Sequence, residues 1–100
     1  MLVSIIIPTL NEEEFIEQSI THILKMNHPS QDLEIIVVDN GSTDRTCEIA
    51  QGLGAVVHSE PHANVGKLRN IGSKIANAEI IGFVMRMKKG ERVVYKAPKE

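Results

Sequence analysis

The sequence predicts an α/β fold, a three-layer α/β/α sandwich around a mostly parallel sheet. Three observations predict it. Four short apolar runs are spread over residues 1–84, and the second, Ile35-Ile36-Val37-Val38, lacks the alternation of a half-exposed strand. The stretches between the runs carry apolar residues at helical spacing. The connecting loops are short, and strands that alternate with helices over short loops build a doubly wound parallel sheet with right-handed crossovers. The expected strand order is 3-2-1-4, with the polar loops 8–11, 39–43 and 59–66 on one rim.

Leu2 to Ile7 reads as the first strand, stopped by Pro8. Pro8-Thr9-Leu10 is the turn. Asn11 followed by Glu14 has the spacing of a capping box, with Glu12 and Glu13 in the first helical turn. Phe15, Ile16, Ser19, Ile20, Ile23 and Leu24 give this helix one apolar face, and Asn27, His28 and Pro29 end it. Leu33 to Asp39 is the second strand. Its apolar run leads straight into Asp39-Asn40-Gly41, a tight turn. Ser42 or Thr43 can cap the next helix, and Asp44 suits its N-terminal dipole. That helix spans about Thr43 to Leu53, with Cys47, Ile49, Ala50 and Leu53 inward, and Gly54 stops it.

Ala55 to His58 is a short third strand and Ser59 to Asn64 a loop. Asn64-Val65-Gly66 opens a third helix, which continues through Leu68, Ile71, Gly72, Ile75 and Ala76. Ile80 to Val84 is the fourth strand. Beyond it, Met85 to Tyr95 reads as a hairpin with Lys88 to Glu91 as its turn. Such a hairpin prolongs strand four and sets a basic antiparallel strand on the edge of the sheet. Lys96 to Glu100 is expected to fray.

One hundred residues allow one small domain. The charge is unevenly spread. Residues 1–84 carry five Lys/Arg against eleven Asp/Glu, whereas residues 85–100 carry six against two, so composition breaks near Met85. Three aromatic residues and no Trp argue against stacking platforms for nucleic acid, and no nucleic-acid partner is expected. A lone Cys47 excludes an intramolecular disulfide and fits a reducing compartment. No apolar run has the form of a signal peptide or the length of a membrane span, so a cytoplasmic location is expected.

Several nucleotide signatures are missing. No G-x-G-x-x-G follows strand one, and no G-x-x-x-x-G-K-[ST] is present. The sharpest single residue is Asp39. In open α/β sheets, ligands bind at the carboxyl ends of the strands. A carboxylate there can accept a hydrogen bond from a base-edge N–H, such as N3–H of uracil. It can equally be a turn former, and spacing alone does not choose. Thr9 has no capping duty and can face the same crevice, while Asn11 and Glu14 are more simply caps. Lys67 and Arg69 lie early in helix three, where a guanidinium can reach a phosphate or lie on a base plane, or simply face solvent. Asn70 can join them or bond a loop carbonyl. His58 and His62 flank Glu60, but Pro61 between them prevents the helix that would converge the rings, so no metal site is assigned there. His22 and His28 read as surface residues, and Cys47 as a small buried hydrophobe.

Taken together, these segments resemble the family 2 inverting glycosyltransferases of the GT-A fold. Val3-Ser4-Ile5-Ile6-Ile7-Pro8-Thr9-Leu10-Asn11-Glu12-Glu13 resembles the family's opening, and Val37-Val38-Asp39-Asn40-Gly41-Ser42-Thr43-Asp44 its second block. Asn64-Val65-Gly66-Lys67-Leu68-Arg69-Asn70-Ile71-Gly72 is similar to the third, usually N-x-G-x-x-x-A-R-N-x-G with variable spacing. The resemblance covers residues 3–84. It implies a nucleotide-sugar-binding half-domain over 1–84, followed by a divergent basic tail over 85–100. It also implies a nucleotide sugar as partner, usually a UDP-sugar, held by Pro8, Thr9, Asn11, Glu12, Asp39, Gly41, Ser42, Lys67, Arg69 and Asn70. Asp39 would read uracil, Thr9 and Glu12 would line base and ribose, and Arg69 would lie near the base or the diphosphate.

The family's reaction is a single displacement at the anomeric carbon, with Mn²⁺ or Mg²⁺ offsetting the charge of the diphosphate leaving group. Here the sequence departs. After Gly82-Phe83-Val84 the family has Asp-x-Asp, and this chain has Met85-Arg86-Met87. Thioethers are poor ligands for hard cations, so the implied metal lacks its ligands. Arg86, Lys88 or Lys89 could offset diphosphate charge in its place. The family's second half, with its acceptor site and general base, is not recognisable in residues 85–100, and no catalytic residue is assigned. The expectation is a truncated or rearranged member, incomplete for catalysis as this chain. The alternatives are a non-catalytic nucleotide-binding module, or a self-associating fragment that forms a homodimer through strand four or the hairpin. Peripheral membrane attachment is common in the family, but no amphipathic anchor is visible.

Overall fold

Among the described residues, five strands make one sheet: β1 (Val3–Thr9), β2 (Leu33–Asp39), β3 (Val56–Ser59), β4 (Ile80–Arg86) and β5 (Arg92–Pro98). Their order is β3-β2-β1-β4-β5. The first four are parallel, and β5 runs antiparallel to β4. The helices are α1 (Ile16–Leu24), α2 (Thr46–Gly52) and α3 (Val65–Ile75). The computed structural model describes residues 3–25, 33–78, 80–86 and 92–98. The expected end of helix one at Asn27 to Pro29 and the hairpin turn at Lys88 to Glu91 lie outside the described residues. The parallel order 3-2-1-4 is the one the sequence predicts.

Three layers follow from side-chain alternation along the strands. Ile5 and Ile7 of β1 and Val37 of β2 face one side, where Ile16, Ile20 and Ile23 of α1 and Ala50 of α2 cover them. Ile6, Ile36 and Val38 face the other side and meet Leu68 and Ile71 of α3. Both faces of β1 and β2 are thus buried, which is why their apolar runs do not alternate. α3 lies very close to β1. A Cβ on Gly72 would stand 2.4 Å from Ile6 Cγ2, so only glycine permits this approach.

Several boundaries differ from the sequence reading. β1 does not stop at Pro8 but runs on to Thr9. Its pairing with β4 ends at Ile6↔Phe83, so Pro8 lies where the strand is paired only with β2, and a residue without an N–H is tolerated there. α1 begins at Ile16, with no side-chain cap. Asn11 is therefore not its N-cap. α2 begins at Thr46 rather than Thr43, and β3 is shifted one residue, to Val56–Ser59. β4 continues through Arg86 beside an antiparallel β5, as the reading of a prolonged strand four expected, but Lys96, Ala97 and Pro98 are paired in β5 rather than frayed. Leu24, expected inward, is 37% exposed.

The amino end of the sheet is tied together. Ser4 Oγ, fully buried, donates to Glu34 Oε1 at 2.7 Å and accepts from the Ala78 N–H at 3.2 Å. Glu34 also accepts from the backbone N–H and the side-chain amide of Asn77 at 2.9 and 2.7 Å. No helix among the described residues is long and apolar enough to cross a membrane.

Candidate functional site

Thr9 and Asp39 are register partners at the carboxyl ends of β1 and β2. Both are buried, Asp39 with 2% of its surface exposed. A buried carboxylate needs hydrogen bonds in place of water. Oδ2 of Asp39 accepts from the N–H groups of Gly41 and Ser42 at 3.0 and 2.7 Å. Oδ1 accepts from the hydroxyls of Thr9 and Ser42 at 3.0 and 2.5 Å. Burial works against ionisation of Asp39, but the bonds from Ser42, Thr9 and the Cys47 thiol outweigh it. Its pKa is lowered from the ordinary value of 3.8. Asp39 is thus the turn former that its position allowed, and it is also an ionised group at the rim.

The turn after β2 needs a glycine. Gly41 has φ +89°, and Pro61 of the next rim loop stands 3.4 Å from where its Cβ would be. Asn40 continues the link, because its Oδ1 accepts from the Ala63 N–H at 2.8 Å. The Glu60 N–H donates to the Asp39 carbonyl at 2.6 Å. His62 lies between these contacts with φ +66° and is exposed. Asn64 then caps α3 by accepting from the Lys67 N–H at 2.8 Å, at the helix start that the sequence predicted.

The loop after β1 is capped by the loop after β2. The N–H groups of Asn11 and Glu12 donate to Ser42 Oγ and Thr46 Oγ1, both at 2.8 Å, and the Glu13 N–H donates to Asp44 Oδ2 at 3.2 Å. Asn11 has φ +51°, and its Oδ1 accepts from the Thr43 N–H at 2.8 Å. Asp44 accepts from the Thr46 N–H at 3.0 Å and from its hydroxyl. So Ser42 and Thr43, expected as helix caps, bind the neighbouring loop instead, and Asp44 takes over the first turn of α2. Cys47 is half-buried rather than buried. Burial, and then the charge and hydrogen bond of Asp39, push its thiol up to about 11.

The expected site residues fall into two groups. Pro8, Thr9, Asn11, Glu12, Asp39, Gly41 and Ser42 come together at the carboxyl ends of β1 and β2. Lys67, Arg69 and Asn70 lie on the first turns of α3, which leaves from the same rim. Arg69 is half-buried, whereas Lys67 and Asn70 are exposed. The sequence reading missed Thr46, Asn40 and Pro61, which hold the three rim loops together. Only Asn40-Gly41 carried a local signal, as a turn dipeptide. Thr46 is the first residue of α2 and carried none.

In an open α/β sheet a ligand crevice is expected where the strand order reverses. β1 has β2 on one side and β4 on the other, and β1–β4 pairing ends three residues short of Thr9. That is the topological switch point of an open α/β sheet. Across it, the carboxyl end of β4 carries Met85 and Arg86. A thioether is a soft donor and a guanidinium has no acceptor atom, so these residues do not fit a hard divalent cation. Among the described residues no three His, Cys, Asp or Glu side chains converge as a metal site.

The sequence model described as Glycosyl transferase family 2 matches residues 4–84. Glycosyltransferase GlyG of Streptococcus pneumoniae is 33% identical over 89 residues, which cover 83% of this chain and 29% of the relative. The uncharacterized glycosyltransferase EpsJ of Bacillus subtilis is 39% identical over 89 residues, covering 83% and 25%. Among solved structures, Staphylococcus aureus TarS 1–349 in complex with UDP-GlcNAc superposes with a TM-score of 0.70 at 32% identity, covering 84% of this chain and 26% of that one. The mannosyltransferase PcManGT from Pyrobaculum calidifontis, in complex with GDP-Man and Mn²⁺, gives 0.73 at 28% identity, covering 84% and 26%. The chain thus spans less than a third of the length of these relatives.

Proposed function

The chain belongs to glycosyl transferase family 2, and from that premise we propose that its rim crevice holds the nucleotide of a nucleotide sugar, a UDP-sugar in particular. The observation that carries this reading is the ionised, buried Asp39 beside Thr9 at the switch point. The two oxygens of Asp39 are not equivalent. Oδ2 is held by two backbone N–H groups, which are fixed. Oδ1 is held by two hydroxyls, whose hydrogens rotate. Oδ1 can therefore exchange a hydroxyl for N3–H of uracil while Oδ2 keeps the turn intact. Thr9 and the half-buried Glu12 stand beside the base and ribose, and Arg69 approaches from α3. The TarS and PcManGT complexes support the ligand class.

In transfer, the acceptor oxygen would attack the anomeric carbon as the bond to the diphosphate breaks. The residues of this chain bind and orient the nucleotide, and no catalytic base is assigned to it. A second reading, a nucleotide-binding module without transfer, is favoured by Met85-Arg86 in place of hard-cation ligands.

Calorimetric titration of the chain with UDP and with N3-methyl-UDP tests the proposal. The methylated compound lacks the donor that Asp39 is proposed to read. A hydrogen bond to a charged group contributes about 1.5–3 kcal/mol, so its binding should weaken at least about tenfold. Equal affinity for the two compounds, or no heat with UDP at millimolar concentration, refutes the reading.

A further inference from the structure

We propose that Asn40 is a modification site, a latent point of deamidation by water that the assembled rim holds shut. Asn40-Gly41 is the single Asn-Gly pair in the sequence. In such a pair the backbone nitrogen of glycine can attack Cγ of asparagine, because glycine has no side chain to hinder the approach. An N–Cγ bond forms, and the bond from Cγ to the side-chain nitrogen breaks. Ammonia leaves with the proton that the glycine nitrogen gave up. Water then opens the cyclic succinimide at either carbonyl. One product is aspartate. The other is isoaspartate, in which the main chain runs through Cβ and Cγ and is longer by a methylene group.

The fold requires both members of the pair. Gly41 has φ +89°, a conformation that favours glycine. Asn40 supplies the acceptor for the N–H of buried Ala63, at 2.8 Å. The same contacts restrain the reaction. For attack, the Gly41 nitrogen must lose its proton and turn toward Cγ. That N–H is donated to Asp39 Oδ2 at 3.0 Å, and the carboxylate opposes a second negative charge on the nitrogen. Asn40 is held at both ends, since its own N–H donates to the Thr9 carbonyl at 2.9 Å and its Oδ1 is held by Ala63. The Ala63 N–H also polarises the side-chain carbonyl, but polarisation achieves nothing while the nucleophile is withheld. Release needs residues 59–63 to lift from the turn, a local opening of the kind that precedes global unfolding. The two products differ in consequence. Aspartate keeps an oxygen for the Ala63 N–H. Isoaspartate moves the Gly41 and Ser42 N–H groups away from Oδ2, and the buried Asp39 carboxylate is left short of donors. Deamidation thus records covalently that the rim has opened.

The test is peptide mapping by mass spectrometry, with isoaspartate counted separately, on the full chain aged in mildly alkaline buffer with and without urea. Asn40 should deamidate about tenfold or more slowly in the folded chain than in urea, because two hydrogen bonds must open first. Pro61→Gly, at an exposed position in the loop, should speed the reaction several-fold in the folded chain. Ile20→Val, which lowers stability in the core under α1, should not. Aged chain rich in isoaspartate should melt below Asn40→Asp, whose Tm should stay close to that of the unaltered chain. Equal rates at Asn40 with and without urea, or equal acceleration by Pro61→Gly and Ile20→Val, overturns the restraint by the rim. Asn40 left intact in urea overturns the site itself. The urea comparison needs no variant, so it stands even if Pro61→Gly folds poorly. Isoaspartate that melts like Asn40→Asp overturns the consequence for Asp39.

Discussion

Replacing Gly72 by alanine sets two known effects against each other. Gly72 lies inside α3, where alanine is favoured over glycine by about 1 kcal/mol. Its added methyl, however, would meet Ile6 Cγ2, Cγ1 and Cδ1 at 2.4, 3.0 and 3.1 Å. Carbon atoms prefer about 3.5–4.0 Å, so the closest contact is more than an ångström too short. Rotating Ile6 offers little relief, since three of its carbons are involved and the residue is fully buried. Overpacking of this kind costs about 1–3 kcal/mol, and this contact belongs near the upper end. Gly72→Ala should therefore lower stability by about 1–2 kcal/mol after the helix gain is subtracted. Urea unfolding followed by circular dichroism should show a midpoint about 1 M lower.

The decisive comparison uses Ile6→Ala, which by itself costs about 2–5 kcal/mol. In that background all three clashing carbons are gone. Gly72→Ala should then stabilise the chain by about 1 kcal/mol, through helix propensity and partial filling of the void. The sign of the substitution should reverse between backgrounds. An equal effect in both, or a gain in the unaltered chain, refutes the account of α3 packing. The same wedge should weaken UDP binding, because α3 carries Asn64, Lys67 and Arg69 from the rim.

Thr46→Val removes a buried hydroxyl that accepts from the Glu12 N–H and donates to Asp44, so stability should fall by about 1–3 kcal/mol in urea titration. The pKa of Asp39 is lower in the folded chain than its ordinary 3.8, so its contribution is complete above that value. It should be lost as pH falls through the folded value, and this acid limb should vanish from the pH dependence of Tm in Asp39→Asn. The Cys47 thiol, raised to about 11, should react slowly with iodoacetamide at pH 8. Asp39→Asn removes one cause of that rise, so alkylation should speed up in a variant that is still folded.

The sequence revealed the strand order because β1 and β2 are buried apolar runs whose composition is dictated by their surroundings. The turn at Asp39 to Gly41 was legible because its chemistry is local. The segment from Asn11 to Glu14 was misread because its partners are distant. Asn11 and Glu14 have the spacing of a cap, yet the side chain of Asn11 is taken by the Thr43 N–H, more than thirty residues away. The cross-loop roles of Ser42 and Thr46 were hidden for the same reason, since a hydroxyl that caps another loop leaves no periodic mark. Pro8 was read as a stop because interior strands exclude proline, whereas the structure pairs this end of β1 on one side only.

The cross-capped rim has a thermodynamic consequence for any ligand. Successive N–H groups from Asn11 to Glu13 are fastened to side chains of the facing loop before anything binds. The β1–β2 lip of the crevice therefore loses its conformational freedom during folding, not during association. A molecule that settles against it meets a surface that is already ordered and forfeits little entropy there. Affinity on that side is set by how well the ligand's donors and acceptors match a fixed pattern. Discrimination between bases should therefore be largely enthalpic, with the reorganisation that accompanies binding confined to rotation of two hydroxyls.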